Sequence, residues 1–377
     1  MVIYNYANNT LFSGTSGNVL YNEGDNVTIS SGKGDDEIGS WGSNVSINSG
    51  TGNDDIGIDG GENRNNVTIN AGDGDDRIWN GDTWWIGHVG AANAKIDGGK
   101  GNDYISNAGG TNSSLNGGVG NDRIANNLFV LVNLTRYASG YVPTSDQISK
   151  PDNSTLIGGD GDDYIQTRDG GDYSSIIGGK GNDSIFNGTY TRGHAAKYLT
   201  ISGGAGNDTI FNNGENITID GGAGNDSIYN WVGDNSSIYG GAGNDSIVNG
   251  GGSSVSINAG TGNDFIYNKS GSNVSIDGGA GNDSIVSEGN NDFLNGGAGN
   301  DLISLVSPSH LIQYAAGGGN DTIYGFNETD TLTISGGSYS TATSGNDVIV
   351  TVGKGKVLLV GANGKNLNIN KTGSTKL

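Results

Sequence analysis

The chain has no cysteine, one methionine and three prolines among its 377 residues. Without cysteine it can have neither a disulfide framework nor a cysteine-ligated zinc site. Only 32% of the residues are hydrophobic, and no stretch is long and apolar enough for a transmembrane helix. Basic residues are also few, because 18 Lys and Arg stand against 40 Asp and Glu. The net charge of −22 argues against nucleic acids and anionic membranes as partners.

Glycine is the residue that the chain has in excess. There are 72 glycines, and with so little proline they exclude collagen. The segment Gly-Gly-Ala-Gly-Asn-Asp-Ser-Ile, or a close variant, recurs about every nineteen residues, as at 203–210, 221–228, 240–247 and 278–285. A fixed short period predicts one unit stacked many times, which is a solenoid. Glycine-rich disorder is the alternative, but the isoleucine two residues after each aspartate favours an ordered repeat.

Each repeat carries one carboxylate at a fixed place in its glycine turn, which we call the motif aspartate. Successive motif aspartates are 18 to 27 residues apart, except for one interval of 41. Asn18 occupies this place in a degenerate first copy. Such a series predicts a row of metal sites, and ordinary Asx-turn chemistry is the alternative. The motif aspartates are Asp36, Asp54, Asp76, Asp103, Asp122, Asp163, Asp183, Asp208, Asp226, Asp245, Asp264, Asp283, Asp301 and Asp321.

Residues 221–239 illustrate one period. Ser227 to Tyr229 is expected to be a short strand and Ser236 to Ile238 the return strand, with one isoleucine of each pointing inward. Two strands and two turns per period predict a flattened coil whose neighbours pair as parallel strands ~4.8 Å apart. Asn230, four residues after the motif aspartate, recurs in other coils and predicts a ladder of stacked amides at the second turn.

This pattern resembles the RTX, or haemolysin-type, calcium-binding repeat GGxGxDxUx. The resemblance covers about Ser31 to Ile323. It implies an all-β, right-handed parallel β-roll or β-solenoid with about 18–20 residues per coil, in which Ca²⁺ lies between successive glycine turns. By position, the fourteen motif aspartates inherit the ligand role, and oxygen ligands suit this hard cation. Because the full nonapeptide occurs once per coil, we expect a single row of ions, with Asn18 in an ion-poor first coil.

The chain divides into three predicted parts. Residues 1–30 are expected to form N-terminal capping coils, 31–325 the calcium-binding β-roll, and 326–377 a divergent C-terminal β cap. The resemblance implies that the last part also carries an uncleaved type I secretion signal. The first residues have neither the basic nor the apolar region of a cleaved signal peptide, which agrees with that route. The predicted location is secreted, extracellular or at the cell surface.

Three interruptions of the repeat contain aromatic residues, near 81–94, 128–153 and 189–198. Since each follows the motif strand and precedes the return strand, all three are expected to emerge from the edge opposite the glycine turns. Packing of the loops over that edge is one interpretation. The other is a shared contact surface for an extracellular glycan or protein, formed by Trp84, Trp85, Tyr137, Tyr141 and Tyr190.

No HExxH, GxSxG or Walker A motif is found, and the three histidines lie far apart. We therefore predict no enzyme, no catalytic residue and no cofactor beyond Ca²⁺. The predicted function is a calcium-binding β-roll with a structural or adhesive role. The alternatives are a carbohydrate-binding module and, less favoured, a carbohydrate-active β-helix enzyme.

A column of large side chains three residues after the motif aspartates is expected to face outward, whereas the opposite strand should show only Ser and Thr. An exposed apolar column of this kind predicts self-association into dimers or filaments. The column consists of Phe186, Phe211, Tyr229, Val248, Tyr267 and Val286.

Overall fold

The computed structural model describes residues 2–14, 17–59, 65–81, 90–127, 152–168, 170–188 and 195–372. These residues form two compact units, Met1–Gly203 and Gly204–Leu377. The regular secondary structure described in both units consists of β-strands. The strands are β1 Val2–Asn5, β2 Leu11–Ser13, β3 Val19–Asn22, β4 Thr28–Lys33, β5 Glu37–Ser40, β6 Ser46–Thr51, β7 Asp55–Ile58, β8 Thr68–Asp73, β9 Arg77–Asn80, β10 Lys95–Lys100, β11 Tyr104–Ala108, β12 Ser114–Val119, β13 Arg123–Asn127, β14 Thr155–Asp160, β15 Tyr164–Arg168, β16 Ser175–Lys180, β17 Ser184–Asn187, β18 Thr200–Ala205, β19 Thr209–Asn212, β20 Thr218–Ala223, β21 Ser227–Asn230, β22 Ser237–Ala242, β23 Ser246–Asn249, β24 Ser256–Thr261, β25 Phe265–Asn268, β26 Ser275–Asp277, β27 Ser284–Ser287, β28 Phe293–Asn295, β29 Leu302–Leu305, β30 Leu311–Ala315, β31 Asn320–Tyr324, β32 Thr331–Ser335, β33 Tyr339–Ser344, β34 Asp347–Val352, β35 Gly355–Leu359 and β36 Asn368–Lys371.

Each coil gives one strand to each of two parallel sheets. In the first unit the odd-numbered strands β1 to β17 pair in parallel as the first sheet, and the even-numbered strands β2 to β16 form the second sheet. In the second unit, β19 to β31 and β20 to β32 alternate in the same way. The chain is therefore an all-β parallel β-solenoid with two strands per coil, as predicted.

The core of each unit is a column of inward isoleucines and other apolar residues. Ile228 of β21 stacks on Ile247 of β23, and Ile238 of β22 stacks on Ile257 of β24. All four side chains are buried. Burial of β-branched residues at every second position fits the pleat of a strand that faces the core on one side.

The return strands are longer than expected, because they continue into the glycine turn. Strand β22 includes Gly240 and Gly241, and the turn closes with Gly243 before β23. Gly241 and Gly243 have φ angles of 115° and 131°. A Cβ on Gly241 would lie 2.0 Å from the carbonyl oxygen of Gly222 in the preceding coil. Glycine is therefore required by both the backbone conformation and the close stacking of the coils.

This added length corrects one expectation about the outward residues. The second sheet presents Ser or Thr at one outward position of most strands, as with Ser237, although Lys95 and Phe293 occupy the same register position in theirs. A second outward position holds other residues, among them Tyr239, which is 47% exposed and lies beside Asn258 of the next strand. The expectation of only Ser and Thr on this face is wrong, because each strand is long enough to show two outward side chains.

The far edge, where the first-sheet strand turns back toward the second sheet, contains the predicted amide ladder. Asn230 is fully buried, and its Nδ2 donates to the carbonyl oxygen of Gly233 at 2.8 Å and to Oδ1 of Asn249 at 2.9 Å. Nδ2 of Asn249 donates in turn to Oδ1 of Asn268 at 2.9 Å. The ladder satisfies buried polar groups at a turn that has no motif carboxylate.

The last strands depart from the repeat. Strand β33 pairs antiparallel with β34, and β34 pairs antiparallel with β35. Strand β35 then joins β31 in parallel, and β36 joins β32. These three antiparallel strands give 339–359 a pairing pattern different from that of the parallel coils before it.

Candidate metal centre

The motif aspartates lie in one column within each unit, at the edge where the second-sheet strand turns into the first-sheet strand. We call this the motif edge. The backbone N–H of Asp226 donates to Oδ1 of Asp245 at 2.8 Å, and the N–H of Asp245 donates to Oδ1 of Asp264 at 2.7 Å. The same bond joins Asp36 to Asp54, Asp54 to Asp76, Asp76 to Asp103, Asp103 to Asp122, Asp122 to Asp163, Asp163 to Asp183, Asp208 to Asp226, Asp264 to Asp283, Asp283 to Asp301 and Asp301 to Asp321.

The second carboxylate oxygen has a different environment. Oδ2 of Asp245 is buried and has no hydrogen-bond partner among the residues that the structure describes. A Cβ built on Gly240 would lie 2.6 Å from this oxygen and 2.4 Å from the carbonyl oxygen of Ala259 in the next coil. Two acceptors therefore border one small space above Gly240. Such a space suits a cation or a proton, because neither oxygen can donate.

This arrangement is repeated along the column. In the first unit, a Cβ on Gly98 would lie 2.4 Å from Oδ2 of Asp103 and 2.5 Å from the carbonyl oxygen of Gly117. A buried Oδ2 that lacks a hydrogen-bond partner among the described residues is found in Asp36, Asp54, Asp76, Asp103, Asp122, Asp163, Asp226, Asp245, Asp264, Asp283 and Asp301.

Burial perturbs the ionisation of these carboxyl groups. Desolvation raises the pKa of Asp245 to about 6, although the N–H of Asp226 opposes the change. Burial likewise raises the pKa of Asp122 to about 7, and the neighbouring carboxylates of Asp103 and Asp163 add to the effect. A carboxylate that is costly to ionise in the fold is one whose charge a bound cation would stabilise.

The degenerate first coil shows what an amide does in this place. A Cβ on Gly14 would lie 2.5 Å from Nδ2 of Asn18. That nitrogen donates to the carbonyl oxygen of Ser31 in the next coil at 3.4 Å. The amide thus supplies a hydrogen where the other coils have an acceptor, which supports the prediction of an ion-poor first coil.

The first residue of the motif is a feature that sequence reasoning missed. Several coils have glycine there, as with Gly240, whereas Ser31, Ser49, Ala71 and Ala259 put a side chain in the same place. The hydroxyl of Ser31 donates to the carbonyl oxygen of Ser49 at 2.8 Å. The candidate sites are consequently not all equivalent, and the change from Gly-Gly to Ser-Gly or Ala-Gly is the sequence signal that marks the difference.

A second hydrogen-bond column runs outside the first in the opposite direction. The N–H of Asn244 donates to Oδ1 of Asn225 in the preceding coil at 2.6 Å, and the N–H of Asn263 donates to Oδ1 of Asn244 at 2.6 Å. Asp or Asn at the residue before the motif aspartate therefore fixes each turn from the solvent side.

The donor set of the motif edge is made of oxygen atoms. Over the described ranges, no group of three or more His, Asp or Glu side chains converges on one point. A cation at this edge would be held by one carboxylate from each coil together with backbone carbonyl oxygens. This combination suits Ca²⁺, which takes six to eight oxygen ligands.

The aromatic residues of the three interruptions are mostly outside the described residues. This applies to Trp84, Trp85, Tyr137, Tyr141 and Tyr190. Tyr198, at the end of the third interruption, is described and is 50% exposed. Its ring stacks on that of Tyr173 with centroids 4.9 Å apart.

Comparison with known families agrees with this geometry. The family described as RTX calcium-binding nonapeptide repeat matches residues 63–82, 89–114, 151–174, 200–216, 218–236, 233–255, 247–274, 275–303 and 314–340. The chain belongs to this family. Ca²⁺ is therefore the cation that this RTX protein binds. The atoms that suit this ion are the buried Oδ2 atoms of the motif aspartates and the backbone carbonyl oxygens that border the space beside the first glycine of the motif.

Solved structures similar to this RTX protein are distant in sequence. A calcium-dependent, β-helical antifreeze protein from an Antarctic bacterium is 18% identical, with a TM-score of 0.35, and the match covers 90% of this chain and 85% of that chain. The extracellular lipase LipA of Serratia marcescens is 15% identical, with a TM-score of 0.22 over 70% of this chain. The match spans 38% of the lipase. No curated sequence is similar enough to count as a match.

Proposed function

We propose that this RTX protein is a secreted, calcium-stabilised scaffold with a structural or adhesive role outside the cell. The observation that carries the proposal is the column of buried carboxylates at the motif edge, where in the coils that begin with glycine Oδ2 and a backbone carbonyl oxygen of the next coil border one space. Extracellular modules commonly use Ca²⁺ sites that fill at ~0.1–1 mM, so the fold would form where calcium is abundant. The fourteen motif aspartates are the proposed ligands. No helix long and apolar enough to cross a membrane occurs in the described part of the chain.

The proposal includes secretion by the type I route and no enzymatic activity. The aromatic interruptions remain a candidate surface for a glycan or protein partner. Self-assembly is a further part of the proposal.

Self-assembly would use an aromatic strip on the first sheet of the second unit. We define this strip as Tyr229, Trp231, Phe265, Tyr267 and Leu302. Tyr229, Trp231, Phe265 and Leu302 are between 37% and 43% exposed. Tyr229 and Tyr267 flank Val248 in one outward column. Several large apolar side chains that share one face of a sheet are typical of a contact surface. A second copy of the chain would cover such a row laterally.

The experiment is light scattering of the protein in millimolar Ca²⁺ across a range of protein concentrations. Tyr229→Lys combined with Tyr267→Lys should shift the assembly toward monomer and leave circular dichroism unchanged. Thr218→Lys combined with Ser256→Lys, at exposed positions of the second sheet, adds the same charge and should leave the assembly intact. A wild type that stays monomeric at high concentration would remove self-assembly from the proposal.

A further inference from the structure

The arginines of this acidic protein are confined to one part of the chain. All six lie between residues 64 and 192, although the net charge is −22. Arg77 of β9 and Arg123 of β13 are exposed on the outer face of the first sheet in the first unit. The register places Arg77 opposite Tyr104, Tyr104 opposite Arg123 and Arg123 opposite Tyr164. Arginine and tyrosine therefore alternate along one outward column, which we call the Arg-Tyr column.

Arg123 is held in place by the rings beside it. Its guanidinium carbon lies 5.1 Å from the ring centroid of Tyr164 and 6.0 Å from that of Tyr104. Tyr164 also contacts Phe186, with ring centroids 5.2 Å apart, and Tyr104 contacts Trp79 at 6.1 Å. A guanidinium stacked on aromatic rings keeps the N–H donors of its planar fork for a further partner.

No carboxylate neutralises Arg123 within the ranges that the structure describes. Lys100 and Lys180, by contrast, each pair with an aspartate of the preceding coil at 2.9 and 2.8 Å. Arg77 lies opposite Asp55, so its charge is partly balanced. Arg123 is thus the cation of this face that is exposed, fixed by stacking and without an ion-pair partner among the described residues.

We propose that the Arg-Tyr column binds a linear, carboxylate-bearing polysaccharide of the uronate class. A guanidinium recognises a carboxylate through two parallel hydrogen bonds, which gives both charge and geometry. Tyrosine supplies a large, partly polar surface against which a sugar ring can pack. Two coils separate Arg77 from Arg123, which is ~9.6 Å along the sheet. In an extended β-1,4-linked uronate chain, every second sugar turns its carboxylate to the same side, so the repeat of the ligand is a disaccharide of similar length.

A single-stranded nucleic acid is disfavoured by the charges of the same column. Binding of that kind depends on neutralising many successive phosphates. In the same column, Asp55 lies opposite Arg77 and Glu37 lies opposite Asp55. These two carboxylates would repel the phosphates of a nucleic acid that extended along the column. A polymer with spaced carboxylates needs only the two guanidiniums.

The test is isothermal titration of the calcium-saturated full chain with a β-1,4-linked uronate tetrasaccharide. The same tetrasaccharide with methyl-esterified carboxyl groups removes the charge and should not bind. Arg123→Gln should weaken binding about tenfold or more, and Arg123→Lys should also weaken it, since lysine keeps the charge but lacks the planar fork.

Lys100→Gln is the matched control. It removes one exposed positive charge from the second sheet of the same unit and should change affinity by less than about twofold. Circular dichroism and the Ca²⁺ midpoint of folding establish that each variant is folded. The proposal is overturned if the wild type binds neither tetrasaccharide or binds both equally, if Lys100→Gln weakens binding as much as Arg123→Gln, or if an oligothymidylate of equal length binds and the uronate does not.

Discussion

Removal of calcium should make folding depend on pH in the direction opposite to ordinary acid denaturation. Without a cation, burial raises the pKa of Asp245 from 3.8 to about 6, and that of Asp76 and Asp122 to about 7. At pH values between the pKa of these carboxyl groups in the unfolded chain and their higher pKa in the folded chain, the folded chain binds more protons than the unfolded chain. The free energy of unfolding therefore falls as the pH rises through this range. The stabilising protonated form is fully present below the unfolded pKa and is lost as the pH passes the folded pKa.

The magnitude is large because the feature is repeated. A rise in pKa from 3.8 to about 6 corresponds to about 3 kcal/mol against ionisation, at ~1.4 kcal/mol for each tenfold change in the ionisation constant. Domains are typically stable by ~5–15 kcal/mol. Roughly two to five ionised motif aspartates would therefore offset the whole stability of an average domain. We expect metal-stripped protein to be folded near pH 5 and largely unfolded at pH 8.

Far-UV circular dichroism of metal-stripped protein in calcium-free buffer measures this directly at pH 5, 6, 7 and 8. Addition of Ca²⁺ at pH 8 should restore the fold at ~0.1–1 mM. Calcium-saturated protein over the same pH range is the control and should stay folded. A stripped protein that is equally folded at pH 5 and pH 8, or that unfolds as the pH falls, would show that ionisation of the buried motif aspartates does not control its stability.

Two substitutions test the two edges of the coil separately. Asp245→Asn should raise the Ca²⁺ concentration needed for folding, because one proposed ligand is lost. Asp220→Asn is the control, since it removes an exposed charge and should leave that concentration unchanged. An equal effect of both substitutions would assign the calcium dependence to general charge repulsion. Asn249→Ala removes buried hydrogen bonds of 2.7 and 2.9 Å at the far edge. It should lower the free energy of unfolding of the calcium-bound protein, measured by chemical denaturation, by about 3 kcal/mol. Asn258→Ala, at an exposed position, is the control and should lower it by less than ~0.5 kcal/mol. Similar losses in the two asparagine variants would contradict the ladder as a stabilising element.

The sequence was sufficient for features that depend on one residue at a fixed period. The inward Ile228 and the amide of Asn230 recur once per coil, and a parallel stack places each next to its counterpart. The column of motif aspartates follows for the same reason.

Features that depend on the neighbouring coil were not accessible in this way. The space next to Asp245 Oδ2 exists because the carbonyl oxygen of Ala259, fourteen residues later, borders it. The exposure of Tyr239 follows from the extension of its strand into the glycine turn, which the expected three-residue return strand did not include. The position of Arg123 between two tyrosines likewise depends on the neighbouring coils, because Tyr104 precedes it by 19 residues but Tyr164 follows it by 41, an interval that departs from the regular period.

The motif edge keeps its geometry whatever the length of the coil that follows. The N–H of Asp122 donates to Oδ1 of Asp163 at 2.6 Å although the two lie 41 residues apart, and that of Asp226 donates to Oδ1 of Asp245 at 2.8 Å across 19 residues. Length variation is thus absorbed by the rest of the coil, while the hydrogen-bonded turn stays constant. A protein of this design can acquire new sequence between Asn126 and Ser154 without shifting the register of any later coil. Selection for new sequence in such a coil can therefore act independently of selection for the hydrogen-bonded motif edge.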